Sequence, residues 1–363
     1  MPRRAVMYER ILVTGGAGFV GSSLALHLKR EFPEARIAAF DNLRRRGSEL
    51  NLGRLAEAGV EFVHGDVRSP EDLAAAPAPQ LIVEASAEPS AQAGYGGSPE
   101  YLVQTNLTGC FHCLELARRN RADFVFLSTS RIYPVRRLNE LAYREDPSRF
   151  TLLDGQAAPG AGAQGINEDF PLEGARSLYG MTKLAAELMI AEYADAYGLR
   201  TVVNRCGLIA GPWQMGKTDQ GVAALWVAAH HFRRPLRYIG FGGTGKQVRD
   251  VLHVGDLCEL LTSQLRSLDC SAGRTFNVGG GLANSLSLLE MTDLCREITG
   301  NRIEIEPSPD DRPADLRIYL TDHARLTEFS GWRPRRDPRT TLADIWQWIR
   351  SDEARLRPVL LGG

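Results

Sequence analysis

Short apolar runs recur along the 363-residue chain and alternate with stretches of helical spacing. Ile11-Leu12-Val13, Ile37-Ala38-Ala39-Phe40, Val60-Glu61-Phe62-Val63, Leu81-Ile82-Val83-Glu84-Ala85, Phe124-Val125-Phe126-Leu127 and Thr201-Val202-Val203-Asn204-Arg205 are too short for buried helices and end in Gly, Asp or hydroxyl residues. Such runs predict buried strands. Residues 22–28, 99–119 and 178–197 place apolar side chains three and four apart and predict helices between the strands. Strands alternating with helices imply an α/β, doubly wound parallel sheet, whose ligands sit at the carboxyl ends of the strands. Residues 136–176 show neither period; they read as a long loop that could serve as a lid. Weaker strand patterns at 236–239, 275–278 and 303–305, with helical ones at 287–299 and 342–348, predict a smaller C-terminal substrate domain. The expected division is residues 1–208 with a return at about 248–275, against 209–247 and 276–355.

The first strand runs into Thr14-Gly15-Gly16-Ala17-Gly18-Phe19-Val20-Gly21 and then a helical pattern. A pyrophosphate needs this kind of turn, because backbone N–H groups must approach it with no Cβ in the way and a helix N-terminus then adds positive potential. The second strand ends at Asp41, 20 residues after Gly21, where a carboxylate can take a ribose 2′-hydroxyl. Together these predict a Rossmann-type dinucleotide site. Asp41 favours NAD over NADP, since it would repel a 2′-phosphate, although Arg44, Arg45 and Arg46 just beyond it are of a type that can hold one. Asp66 and Val67, after the third strand, are expected beside the adenine.

Tyr179 and Lys183 stand four apart on one helix face. A tyrosine keeps its proton to about pH 10; a neighbouring ammonium and a positive nicotinamide both favour the phenolate, which makes it a base toward a sugar hydroxyl. Thr129 ends the fifth strand, where its hydroxyl could bind the reacting oxygen; Ser128 and Ser130 compete for that role.

Basic and acidic side chains balance at 43 and 44, which argues against nucleic acid or an anionic membrane as partner. No apolar run approaches a membrane span and the first ten residues contain no apolar signal core, so a cytoplasmic protein is expected. Only four of the basic residues are lysines, namely Lys29, Lys183, Lys217 and Lys246, so a site that needs an ammonium must draw on them. Cys110 and Cys113 form a C-x-x-C, but no second pair or histidine pair follows; a helix face burying two thiols is expected, with no metal.

The T-G-G-A-G-F-V-G turn, Asp41-Asn42-Leu43, Asp66-Val67, Asn106-Leu107-Thr108-Gly109, the Thr129 strand and Tyr179 with Lys183 together resemble the extended short-chain dehydrogenase/reductase family, from about residue 10 to 350. Asp41-Asn42-Leu43-Arg44-Arg45-Arg46-Gly47, Asp219-Gln220-Gly221 and Gly245-Lys246-Gln247-Val248-Arg249-Asp250 are similar to its CDP-paratose 2-epimerase branch. The resemblance implies tightly held NAD, contacted by Gly15, Gly18, Phe19, Val20, Asp41, Asn42, Asp66, Val67, Asn106, Tyr179 and Lys183. It implies Thr129, Tyr179 and Lys183 as catalytic, and Asn204, Gln220, Arg249 and Arg312 on a CDP-linked sugar, with the two arginines on its diphosphate. Arginine suits that role because its planar fork matches two phosphate oxygens. The implied reaction is C2 epimerisation through a 2-keto sugar, in a homodimer or homotetramer paired through helices near 106–119 and 178–197. A C4-epimerase and a non-catalytic dinucleotide sensor remain as alternatives. Dehydratases of the family carry Asp-Glu after the catalytic Thr; here those positions are Ser130 and Arg131. Glu84, where many relatives have His, and Leu208, where many have Asn, also depart from the pattern, and the loop at 157–165 is unusual.

Overall fold

A computed structural model describes residues 8–216 and 221–361. Seven parallel strands form the main sheet, ordered Arg274–Val278, Thr201–Cys206, Asp123–Thr129, Leu81–Glu84, Arg10–Thr14, Arg36–Asp41 and Glu61–His64. The direction of winding reverses between Arg10–Thr14 and Leu81–Glu84, which opens a crevice beyond their carboxyl ends. Alternation along a strand sends neighbouring side chains to opposite faces. Ile11 and Val13 pack with Leu24 and Leu28 of helix Phe19–Glu31 and Leu257 and Leu261 of helix Val254–Arg266. Leu12 packs on the other face with Cys110 and Leu114 of helix Gly109–Asn120 and with Ile190 of helix Leu178–Tyr197. Both faces are covered, so the central strands read as continuous apolar runs.

The expected helix over 99–119 forms as Glu100–Val103 and Gly109–Asn120, joined by a π-helical turn at Gln104–Thr108. Its two thiols, Cys110 and Cys113, are wholly buried, and burial pushes both well above the ordinary thiol range. Helix Leu178–Tyr197 starts where the Ser177 hydroxyl accepts the Gly180 N–H at 3.1 Å and stops at Gly198, which is left-handed at φ +67°.

The smaller unit joins strands Leu208–Ala210, Val248–His253, Ser285–Ser287 and Ile318–Tyr319 to helices Val222–Phe232, Leu288–Thr299 and Pro338–Ser351. Within the expected return segment, Val248–His253 belongs to the smaller sheet, helix Val254–Arg266 packs on the large one, and Arg274–Val278 is an edge strand of the large one.

Residues 136–176 differ from the expected loop. They contain helix Val135–Asn139 and two short hairpins, Tyr143–Glu145 with Phe150–Leu152 and Ala161–Gly162 with Gly165–Ile166. Leu138, Phe150, Leu152, Ile166 and Phe170 are buried against Val248, Ile318 and Leu320 of the smaller unit. The period was hidden because each piece is too short to show one and its apolar partners lie far along the chain. Among the described residues, no helix is long and apolar enough to cross a membrane.

Candidate active site

The glycine turn is built as a cradle. Gly15 is left-handed at φ +63°, and a Cβ there would meet the Ala85 carbonyl oxygen at 2.7 Å. Helix Phe19–Glu31 begins at Gly18 with no side-chain cap, which leaves its first amides facing the crevice. Phe19 and Val20 line the cavity beyond. Asp41 Oδ1 accepts the Leu43 N–H at 2.7 Å and Oδ2 the Ala17 N–H at 3.1 Å, so the carboxylate stands beside the turn. Burial raises its pKa against the pull of those amides. These features fit a dinucleotide. The three arginines after Asp41 turn elsewhere: Arg44 lies 3.9 Å over the Tyr101 ring, Arg45 reaches the Met215 carbonyl and Arg46 the Pro358 carbonyl.

Asn42 donates to Asp66 Oδ2 at 2.8 Å, beside the crevice. Burial works to raise the Asp66 pKa, but the Arg68 guanidinium and its backbone amide outweigh it and hold it at about 2. Val67 is buried, with its carbonyl 2.9 Å from His112 Nδ1. Asn106 accepts the Glu88 N–H at 2.8 Å and donates to the Glu88 carbonyl and the Thr182 hydroxyl, at 3.1 and 3.3 Å. Its amide braces the segment after the fourth strand against helix Leu178–Tyr197.

The fifth strand brings Thr129 to a cavity of about 790 Å³ that Tyr179 and Lys183 also line. Packing separates two of the three candidate hydroxyls. Ser128 donates to the buried Glu187 carboxylate, which Arg205 pairs at 2.8 Å, while the Thr129 hydroxyl engages the Tyr179 phenol. Burial raises the Tyr179 pKa, opposed by the Lys183 ammonium, the Thr129 hydroxyl and the Arg131 guanidinium. Burial alone would lower the Lys183 pKa; Glu84 and Tyr179 reverse that, and it stands raised.

At the opposite wall, Arg249 donates to the Val248 and Leu316 carbonyls at 2.8 and 2.7 Å and lies 3.3 Å from Asp315, which also meets Arg312 at 3.4 Å. Burial lowers the Arg249 pKa to about 10, and the like charge of Arg131 adds to this. Arg131 itself donates to the Ala314 carbonyl at 3.0 Å. Three guanidinium groups therefore converge on one cavity, a setting for an anion.

Two sequence expectations fall elsewhere. Asn204 is wholly buried inside the sheet, where its amide exchanges two hydrogen bonds with Gln264, at 2.9 and 2.8 Å; it does not line the cavity, so the expected substrate contact is corrected to a core amide pair. Gln220 lies outside the described residues. Residues not singled out as site residues also enter. Arg131 lines the cavity, Asp315 links Arg249 to Arg312, and Glu84 lies beneath Lys183. A clue to Glu84 was present: a carboxylate closing an otherwise apolar strand demands a buried partner.

The family profile described as "NAD dependent epimerase/dehydratase family" matches residues 11–279. The chain is similar to a CDP-paratose 2-epimerase of Salmonella typhi, with 30% identity over 94% of this chain and 99% of that one. It is 28% identical to a dTDP-glucose 4,6-dehydratase of Mycolicibacterium smegmatis, over 96% of each. Among solved structures, a UDP-glucose 4-epimerase of Thermus thermophilus in complex with NAD superposes with a TM-score of 0.76 at 26% identity, covering 94% of this chain and 99% of that one. With the parallel sheet, the glycine cradle and the Tyr179–Lys183 helix already in place, these matches establish that the chain belongs to the NAD-dependent epimerase/dehydratase family of extended short-chain dehydrogenases/reductases.

Proposed function

We propose that this chain epimerises a nucleotide-linked sugar, with C2 of a CDP-linked sugar as the reacting carbon. The observation that carries the reading is one cavity with the Tyr179 phenol, Thr129 hydroxyl and Lys183 at one wall and Arg249 and Arg312 at the other. When bound in the glycine cradle, NAD supplies a reversible hydride acceptor and a positively charged ring. Tyr179 takes the proton of the sugar hydroxyl and later returns it. Thr129 holds the reacting oxygen, and Lys183 favours the phenolate. Arg249 and Arg312 grip the diphosphate while the 2-keto sugar turns its other face to the hydride site. Net oxidation is zero.

Ser130 and Arg131 stand where elimination would need an acid and a base. Neither a serine hydroxyl nor an always-charged guanidinium serves there, so the dehydratase reaction of some relatives is disfavoured. The similarity to a 2-epimerase supports C2 over C4. A pairing of two copies belongs to the same proposal: helices Gly109–Asn120 and Leu178–Tyr197 expose Phe111 and Leu188, apolar side chains that a second copy would cover.

The test is incubation of the purified protein with CDP-linked sugars, read by proton NMR. Inversion at C2 is expected. Inversion at C4 instead would move the assignment to the alternative register of the sugar, and bound NAD with no inversion of any nucleotide sugar would overturn the catalytic reading.

A further inference from the structure

Strand Leu81–Glu84 is buried along its whole length, yet it ends in a carboxylate. Glu84 is 1% exposed and Lys183 2%. Lys183 Nζ stands 3.6 Å from Glu84 Oε2, donates to the Leu127 carbonyl at 3.0 Å and lies 4.3 Å over the Phe126 ring. Glu84 Oε1 accepts from the Ser86 hydroxyl, and Oε2 receives no hydrogen bond among the described residues. Oε2 is thus left to the ammonium alone. Ala85, the next residue, and Lys183 line the cavity, so Glu84 lies just behind the wall that carries Tyr179.

We propose that Glu84 is a positioning residue that seats the Lys183 ammonium and offsets its field, and thereby sets the pH at which the Tyr179 phenol releases its proton. The inference rests on Tyr179 being the base. An uncompensated ammonium one helical turn from a phenol would pull its pKa down, because it favours the anion. A carboxylate behind that ammonium cancels part of the pull, and does so strongly, since buried charges are little screened. The other groups that face Tyr179 are the Thr129 hydroxyl and Arg131 from the end of the fifth strand and Cys206 from strand Thr201–Cys206; Cys110 also faces Lys183, from helix Gly109–Asn120. None of these brings a second carboxylate to the pair, so the offset falls to Glu84.

The test titrates the Tyr179 phenol in the holoprotein, as the ultraviolet phenolate spectrum minus that of Tyr179→Phe, beside the pH profile of kcat/KM. Glu84→Gln, in which the Leu127 carbonyl and the Phe126 ring still hold the Lys183 ammonium, should lower the titration by about one unit and move the acid limb of kcat/KM to lower pH with it. Glu84→Asp keeps the charge and should leave both near wild type. If Glu84→Gln does not fold, Glu84→His, neutral above about pH 7, makes the same comparison. A titration unmoved or raised on loss of the charge, or moved equally by Asp and Gln, overturns the inference. A wild-type protein with no phenolate belonging to Tyr179 would refute the base assignment itself, which separates the two failures.

Discussion

Asn204 and Gln264 offer the sharpest separation of a structural from a substrate-binding role. They are 0% and 2% exposed and exchange hydrogen bonds of 2.9 and 2.8 Å across strand Thr201–Cys206 and helix Val254–Arg266. Asn204→Leu keeps the volume but strands both polar ends of the Gln264 amide. Each orphaned buried group costs about 1–3 kcal/mol, so the substitution, which orphans two, should destabilise by roughly 2–6 kcal/mol. Gln264→Met should cost about the same, for the mirrored reason. The double variant removes both partners and should lose no more than about 1 kcal/mol relative to wild type, because matched removal of a pair is nearly neutral. The difference is a coupling energy of roughly 3 kcal/mol or more. Urea midpoints of the four proteins, taken at one saturating NAD concentration, measure it. KM for the nucleotide sugar should not change in the folded variants. Additive losses would refute the amide pair. A stable Asn204→Leu protein with a tenfold higher KM would return Asn204 to the substrate.

Gly21→Ala should purify with little or no NAD: its Cβ would collide with the Gly15 carbonyl oxygen and sit 2.7 Å from the carbonyl carbon, and backbone cannot swing aside as a side chain can. Gly53→Ala, in helix Leu52–Glu57 with nothing within 4 Å, is the control and should stabilise by about 0.5–1 kcal/mol with NAD content unchanged; equal NAD content in both would refute the cradle. Tyr179→Phe should lower kcat by roughly 10²–10⁴ while NAD stays bound, and a variant with wild-type turnover would remove Tyr179 as the base.

Much of this protein was legible along the chain because its chemistry is local. The glycine turn and Asp41 lie within one strand–helix–strand unit and Tyr179 and Lys183 within one helical turn, so short spacing brings their atoms together. The central strands were legible as well, because burial on both faces leaves no polar interruption. Residues 136–176 were not, since strands of two or three residues show no period and pack on partners such as Val248 and Ile318, more than seventy positions away. Roles that depend on what a side chain meets across the fold were equally hidden. Asn204 resembles a binding residue until Gln264 is found against it. Of the neighbouring hydroxyls, that of Ser128 meets Glu187 and that of Thr129 meets Tyr179, which spacing does not show. Glu84 acquires a meaning only beneath Lys183. The chain by itself thus determined the sheet, the dinucleotide turn and the shared helix face of Tyr179 and Lys183, through periodicity and short spacing. Tertiary packing decided which polar groups face the cavity and which are consumed in the core, because a buried polar atom takes its role from the partner nearest to it in space.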